Sequence, residues 1–203
     1  GKNWRQIIIN SFNKKFIKIR FINNSTGYIC GSNGLLMKTV NGGEKWFEVE
    51  TGTSDLIYDI AFADQQKGFA VGWNGLLLKT LDAGENWTKV PEVTSNYLRR
   101  IKFISQSEGF IVGGNGEILH TTDGGSKWEK IKNEFSLGLY DFDFIDETIA
   151  LIVGGQGKIL MSTDRGKNWT ITDTNVFTLL NEISLTPRKK IFAVGVNGTI
   201  VKL

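Results

Sequence analysis

Tryptophan recurs along this chain at an almost constant interval, and that interval restricts the possible folds more than any other feature. The five residues are Trp4, Trp46, Trp87, Trp128 and Trp169, with steps of 42, 41, 41 and 41 residues. Five glycine turns also repeat every 41 residues, beginning at Gly31, Gly72, Gly113, Gly154 and Gly195. A period of about 40 residues with short strand-like segments is typical of a β-propeller with one four-stranded blade per repeat. The sequence therefore predicts an all-β fold.

The second repeat shows the four expected strands most clearly. Its hydrophobic pattern predicts an inner strand over 57–62, a second over 69–72, a third over 76–80 and a fourth over 87–90. Asn74-Gly75, between the second and third strands, favours a type I′ turn because both central residues of that turn need positive φ. The blades are therefore predicted to be antiparallel.

A specific motif precedes most of the tryptophans. Residues 80–87, 121–128 and 162–169 each read Ser/Thr-x-Asp-x-Gly-x-x-Trp, and residues 39–46 carry Asn41 in place of the aspartate. The motif resembles the Asp-box of bacterial-neuraminidase-type (BNR) repeats. A short acceptor side chain can bond the amides of its own turn, and glycine supplies positive φ. One carboxylate per turn is too few for a metal site, so we predict no metal. We predict a structural role for Asp82, Asp123, Asp164, Asn41, Trp46, Trp87, Trp128, Trp169 and Trp4.

The two ends of the chain complement each other. Residues 1–4 match 166–169, the second half of an Asp-box, whereas the chain stops at residue 203, where another Asp-box would begin. We therefore predict that an outer strand over 4–9 completes the last blade and closes a five-bladed ring, which hides the sheet edges. The alternative is that these repeats are part of a larger ring. The predicted domain, 1–203, has blades at about 14–51, 55–91, 96–132, 138–172 and 179–203 plus 1–9.

The repeats differ most where the inner strand begins, which a propeller places at the mouth of its central channel. One repeat position holds Lys18, Asp59, Arg100, Asp141 and Glu182, and the position before it holds Ile17, Tyr58, Arg99, Tyr140 and Asn181. Asp59, Asp141 and Glu182 resemble, in arrangement, the three carboxylates of five-bladed glycosidases. A glycosidase needs one protonated and one ionised carboxyl group. The interleaved cations favour a ring of compensating charges instead.

An unusual aromatic residue marks one turn at the same end of the channel. Trp73 stands where the other repeats carry Ser32, Gly114, Gly155 and Val196. It could stack on a ligand or fill a gap against a neighbouring loop. With guanidinium groups beside it, an aromatic face suits an acidic peptide or an anionic sugar. The predicted ligand-binding residues are Trp73, Arg99, Arg100, Tyr58 and Tyr140.

Residues 68–87, Gly-Phe-Ala-Val-Gly-Trp-Asn-Gly-Leu-Leu-Leu-Lys-Thr-Leu-Asp-Ala-Gly-Glu-Asn-Trp, are similar to a repeat of the photosystem II assembly and stability factor family. The likeness extends over all the repeats. It implies a scaffold that holds a client protein on a basic patch, without catalysis. Members of that family are expected to have seven blades. The basic inner-strand residues of this chain are Lys18, Arg20, Arg99, Arg100 and Lys102.

The predicted function is non-catalytic binding of a protein or glycan at the channel mouth, with a glycoside hydrolase as the alternative. A multivalent lectin is a further alternative, and its repeated turn residues would be Asn33, Asn74, Asn115, Gln156 and Asn197. The net charge of +3 is scattered and forms no basic stripe, so no nucleic-acid partner is expected. We expect no cofactor, no transmembrane segment, a monomer, and an extracellular or periplasmic location.

Overall fold

The computed structural model describes residues 4–9, 14–186 and 190–203, and this part of the chain forms five antiparallel sheets without an α-helix. The first sheet contains β1 (Phe16–Phe21), β2 (Gly27–Gly31), β3 (Leu36–Thr39) and β4 (Phe47–Glu48). The second contains β5 (Ile57–Phe62), β6 (Gly68–Gly72), β7 (Leu77–Thr80) and β8 (Thr88–Lys89). The third contains β9 (Leu98–Phe103), β10 (Gly109–Gly113), β11 (Ile118–Thr121) and β12 (Glu129–Lys130). The fourth contains β13 (Leu139–Phe144), β14 (Ala150–Gly154), β15 (Ile159–Ser162) and β16 (Thr170–Thr172). The fifth contains β17 (Leu180–Leu185), β18 (Ile191–Gly195) and β19 (Ile200–Lys202).

These strands agree with the repeat predicted from the sequence. The inner strand β5 has the predicted limits, whereas the outer strand β8 is shorter than the predicted 87–90. Asn74 and Gly75 both have positive φ, at 54° and 68°, as their turn type requires. The turn between the second and third strands contains one short 3₁₀ segment in each of the last four sheets. These segments are Trp73–Gly75, Gly114–Gly116, Gly155–Gly157 and Val196–Gly198.

The hydrophobic core lies between successive sheets and not inside any one of them. At the second junction, Phe69 and Leu77 of the second sheet pack with Ile101 and Leu119 of the third, and Trp128 covers the outer end. The other junctions repeat this arrangement, because each sheet uses one face for the preceding neighbour and the opposite face for the next. The chain therefore forms a succession of similar junctions, in each of which one face of a sheet packs on the opposite face of the following sheet.

At the first three of the four junctions, one aromatic side chain is pressed against the Asp-box turn of the following sheet. A Cβ atom added at Gly84 would lie 2.8 Å from the Tyr28 ring of the sheet before it, and Gly125 meets Phe69 in the same way. The Tyr28 hydroxyl also donates a hydrogen bond to the Ala83 carbonyl, at 2.7 Å. Only glycine fits where the backbone and the ring approach so closely.

The first and last sheets each keep one apolar face exposed. The side chain of Ile19 is 56% exposed, whereas Ile60 and Ile101, at the same position in the next two repeats, are fully buried. At the other end of the series, Ile200 is 70% exposed, whereas the equivalent Leu77 is buried. These two faces correspond to the two halves of the junctions found between the other sheets.

The predicted outer strand at residues 4–9 is wrong. These residues form no strand, and the last sheet has three strands, so Trp4 caps no sheet and is 93% exposed. Ile9 instead packs against the first sheet beside Ile29 and Met37, and Arg5 pairs with Glu44. The contact of Ile9 with the first sheet buries apolar surface and does not require the segment to pair with β19. Residues 1–3, also assigned to that blade, lie outside the described residues.

Candidate functional site

A bulge near the start of every inner strand orients the residues at that end of the inner strands. The pairing of the inner strand with its neighbour skips one residue in each sheet: Ile17, Tyr58, Arg99, Tyr140 and Asn181. A bulge adds one residue to a strand and redirects its side chain. All five residues line one cavity of about 200 Å³, together with Lys18, Arg100 and Glu182. We call these eight residues the mouth surface.

Arg100 is the electrostatic centre of the mouth surface. Its Nε donates to Asp141 Oδ1 at 2.6 Å, and its terminal nitrogens lie 3.8 Å from Asp59 Oδ2 and 3.7 Å from Glu182 Oε1. Burial would by itself lower the pKa of Arg100, but the hydrogen bond and charge of Asp141, followed by the other two carboxylates, hold that pKa above its ordinary value. One guanidinium thus connects the carboxylates of three different sheets.

Two of the three carboxylates considered for the glycosidase alternative are buried behind the mouth surface. Asp59 is fully buried, and its Oδ2 accepts a hydrogen bond from the backbone amide of Ile101 in the next sheet, at 3.2 Å. Asp141 is 4% exposed and accepts the amide of Ile183 at 3.1 Å in the same manner. Each aspartate therefore links adjacent inner strands. Of the three carboxylates, only Glu182 is exposed.

The remaining cations of the mouth surface are less strongly compensated. The Arg99 guanidinium lies over the Tyr58 ring, 4.6 Å from its centroid, and it has no carboxylate partner among the described residues. Burial, followed by repulsion from Arg100, lowers the pKa of Lys18. Lys18 and Arg99 are therefore the cations that an approaching anion would meet.

Three aromatic rings continue from the mouth surface towards the periphery. Trp73 stacks in parallel on Tyr97, with centroids 5.7 Å apart and planes inclined by 2°, and Tyr97 meets the Tyr58 ring edge-on at 6.4 Å. Trp73 is 44% exposed, so one part of the indole packs on a neighbour and another part faces solvent. The position of Trp73 is thus compatible with both roles considered from the sequence, which are stacking on a ligand and filling a gap against a neighbouring loop. We call Trp73, Tyr97 and Tyr58 the aromatic row.

Tyr97 is the residue of this region that the sequence interpretation missed. Its repeat position holds Lys15, Leu56, Gly138 and Leu179 elsewhere, so the aromatic side chain was a detectable departure. Gly138 makes room for it, because a Cβ there would lie 2.5 Å from the Tyr97 hydroxyl. Burial, followed by its hydrogen bond with Tyr140, raises the pKa of Tyr97. The two hydroxyl groups connect the aromatic row to the fourth sheet.

The Asp-box residues make the local hydrogen bonds expected of a structural turn. Asp82 Oδ1 accepts the Asn86 amide at 3.0 Å and the Thr80 hydroxyl at 2.7 Å. Asn41 makes the same two bonds with its amide oxygen, to Lys45 and Thr39. The backbone and side-chain bonds from Asn86 and the hydroxyl bond lower the pKa of Asp82 to about 2. Asp82 is consequently ionised and occupied by its own turn.

Two tryptophans show how the indole closes an Asp-box turn. Trp87 Nε1 donates to the Gly84 carbonyl at 3.2 Å, and Trp169 Nε1 donates to that of Gly166 at 2.9 Å. Trp46 meets Phe21 edge-on at 6.0 Å. Two of the five turn side chains considered for a lectin also have hydrogen-bond partners, since Asn74 bonds Asp55 and Asn115 bonds Asn96.

The described ranges contain no group of three potential metal-ligating side chains. In the same ranges, no helix has the length and apolar character needed to cross a bilayer.

Comparison with known proteins finds one family model that is similar to part of the chain. The model of the photosynthesis system II assembly factor YCF48 matches residues 44–137. A search of curated proteins finds no significant sequence match. Among solved structures, YCF48 from Cyanidioschyzon merolae aligns with a TM-score of 0.76 and 18% identity, over 100% of this chain and 74% of that one.

Two further structures are similar in fold. YCF48 bound to D1 peptide aligns with a TM-score of 0.54 and 17% identity, over 93% of this chain and 91% of that one. An ancestral GH74 enzyme aligns with a TM-score of 0.72 and 16% identity, over 93% of this chain but only 31% of the enzyme. Identities this low relate the folds alone. Taken with the Asp-box repeats and the five antiparallel sheets, they establish the chain as a BNR-type repeat propeller similar to YCF48.

Proposed function

We propose that this chain is a non-catalytic binding module that holds an acidic segment of a partner protein on the mouth surface and the aromatic row. The observation that supports it most directly is the pairing of Arg99 with Tyr58, beside the stacked Trp73 and Tyr97. Aromatic and arginine side chains contribute most of the binding energy in many interfaces. A carboxylate of the partner would form charge-assisted hydrogen bonds with Arg99.

The charges around the channel favour binding over hydrolysis. A glycosidase needs two carboxyl groups that flank the scissile bond, one of them free to donate a proton. Asp59 and Asp141 both bond a backbone amide and an arginine, which leaves Glu182 as the accessible carboxylate among these three. The structure described as YCF48 bound to D1 peptide gives a precedent for a peptide partner on a similar fold.

A binding assay with an acidic peptide tests the proposal. The probe is a fluorescein-labelled peptide of alternating glutamate and leucine, and its control replaces glutamate with glutamine. We expect saturable binding of the first peptide, weakened about tenfold or more by Arg99→Ala and by Trp73→Ala. Arg165→Ala is the matched control, because Arg165 also pairs across two sheets but lies away from the mouth. The proposal would be refuted if the chain bound the two peptides with equal affinity. It would also be refuted if Arg99→Ala bound the glutamate peptide as tightly as the unchanged chain does.

A glycoside hydrolase is the second candidate, because GH74 enzymes share the fold. Its test is a panel of chromogenic glycosides. Turnover that disappears in Glu182→Gln would favour the enzyme and overturn the binding proposal.

We propose in addition that the five sheets are five blades of one ring. Both the first and the last inner strand contribute to the mouth surface, and the Glu182 carboxylate acts electrostatically on Lys18. Closure would bring together the exposed faces that contain Ile19 and Val194. We expect a disulfide to form when Ile19→Cys and Val194→Cys are combined in a chain that also carries Cys30→Ala. Absence of that cross-link would indicate an arc.

A further inference from the structure

A second cavity lies at the opposite end of the inner strands from the mouth surface. Its volume is about 410 Å³, and the ends of β1, β5 and β9 enclose it together with the turns that follow them. Small-molecule sites in proteins occupy roughly 300–1,000 Å³. We call this space the lower cavity, and the lining residues that determine its chemistry are Arg20, Phe21, Ala61, Asp64, Ile101 and Lys102.

A break in the repeat pattern creates the lower cavity. One repeat position holds Arg20, Ala61, Lys102, Asp143 and Ser184 in the five sheets. Between the third and fourth sheets, Lys102 Nζ donates to Asp143 Oδ1 at 2.6 Å. The second sheet offers only the methyl group of Ala61 to the equivalent cation, Arg20. The missing carboxylate side chain leaves space beside Ala61.

Arg20 is consequently left with unused hydrogen-bonding capacity. Its Nη2 donates to Asp59 at 3.2 Å, but its Nε is buried and has no hydrogen-bond partner among the described residues. A buried donor without an acceptor is energetically costly, so an acceptor that enters the cavity would be favoured. The cavity therefore has an unmet requirement for a hydrogen-bond acceptor.

The other lining groups define the charge and size of a suitable ligand. Lys102 adds a second cation, one third exposed, and the ring of Phe21, which is 43% exposed, adds apolar surface. The Asp64 carboxylate accepts the amides of Gln66 and Lys67, so its charge is partly engaged by backbone. Because Asp59 and Asp143 already neutralise part of the cationic charge, a monoanion suits the site better than a dianion.

We propose that the lower cavity binds a small organic carboxylate with an aromatic or aliphatic body. The carboxylate lies between Arg20 and Lys102, in the place that the Asp143 carboxylate takes between the third and fourth sheets. Its apolar body rests on Ala61 and the ring of Phe21. Charge-assisted bonds at one end and apolar burial at the other give the site its selectivity.

Benzoate is the probe, and isothermal titration of the full chain is the measurement. We expect saturable binding of benzoate and none of benzamide, which has the same shape without the charge. Ala61→Asp supplies the missing carboxylate internally, so it should abolish benzoate binding while the melting temperature stays equal or rises. Lys102→Met should weaken binding about tenfold or more. Lys127→Met is the control for Lys102→Met. Lys127 Nζ lies 2.5 Å from the Glu129 carboxylate, outside the cavity, and Lys102 Nζ lies 2.6 Å from the Asp143 carboxylate.

Three results would overturn the proposal: no saturable benzoate binding, equal binding to the Ala61→Asp variant, or inorganic phosphate binding as strongly as benzoate. Trp73→Ala should leave the benzoate affinity unchanged, because Trp73 belongs to the opposite end of the channel. This variant separates the lower cavity from the proposed peptide site.

Discussion

Replacing Asp59 with alanine tests whether the channel carboxylates are structural. The side chain is fully buried and accepts bonds from the Ile101 amide and Arg20, both at 3.2 Å, with Arg100 3.8 Å away. Loss of one partner of a buried ion pair costs roughly 3–5 kcal/mol. Arg20 and Arg100 keep some solvent access, 34% and 15% exposed, so we discount that cost. We expect Asp59→Ala to lower the free energy of unfolding by about 2–4 kcal/mol.

The assay is urea unfolding followed by circular dichroism, supported by the melting temperature. A loss of this size corresponds to a fall of roughly 4–16 °C for a chain of this length. Asp59→Asn is the matched variant: its amide oxygen still accepts the Ile101 amide, so it should lose about half as much. A change below about 1 kcal/mol for Asp59→Ala would refute the structural role, since it would imply that the inner strands do not depend on this link.

Further predictions concern the Asp-box turns. Asp123→Ala should cost about 1–2 kcal/mol of unfolding free energy through lost turn hydrogen bonds, whereas Asp123→Asn should cost much less; equal losses in urea titrations would contradict this. The pKa values of Asp82 and Asp164 are lowered to about 2 in the folded chain. The two ionised carboxylates therefore stabilise the folded chain fully above the unfolded pKa near 4, and this stabilisation is lost as the pH falls towards 2. Melting curves from pH 5 to pH 2 measure this, and a melting temperature that stays constant would disprove it. Gly125→Ala should lower stability by about 2–4 kcal/mol in the same assay, because φ is +78° and the new methyl group would overlap a buried phenylalanine; an unchanged melting temperature would show that the turn can relax.

Local signals in the sequence were sufficient to predict the sheets and their turns. The alternation over 57–62 reports a strand directly, and Asn74-Gly75 reports a turn through the φ values that its residues tolerate. Such signals depend on residues close in sequence and recur in every repeat. The five mouth positions were predictable for the same reason, because the repeat places them at equivalent points.

The contacts between sheets could not be predicted in this way. The stacking of Trp73 on Tyr97 depends on the spacing of two sheets, and Tyr97 entered no local motif. Asp59 is buried where it accepts a hydrogen bond from the Ile101 amide, which is 42 residues away in the sequence. The error at residues 4–9 has the same origin, because pairing of this segment with β19 would depend on contacts between distant parts of the chain and not on the local pattern.

The junctions between successive sheets have a consequence for how the chain folds during synthesis. The cover of Tyr28 and Phe69 is completed only when the Asp-box turn of the following repeat arrives, at Gly84 and Gly125 respectively. A ribosome must therefore add more than 50 residues after each of these rings before its cover is complete, which takes roughly 3–11 s at ordinary elongation rates. During that interval every newly completed sheet presents an apolar face to the cytosol or to a translocation channel. Nascent repeats of this kind should accordingly depend on chaperones at regular intervals, once for each period of the sequence.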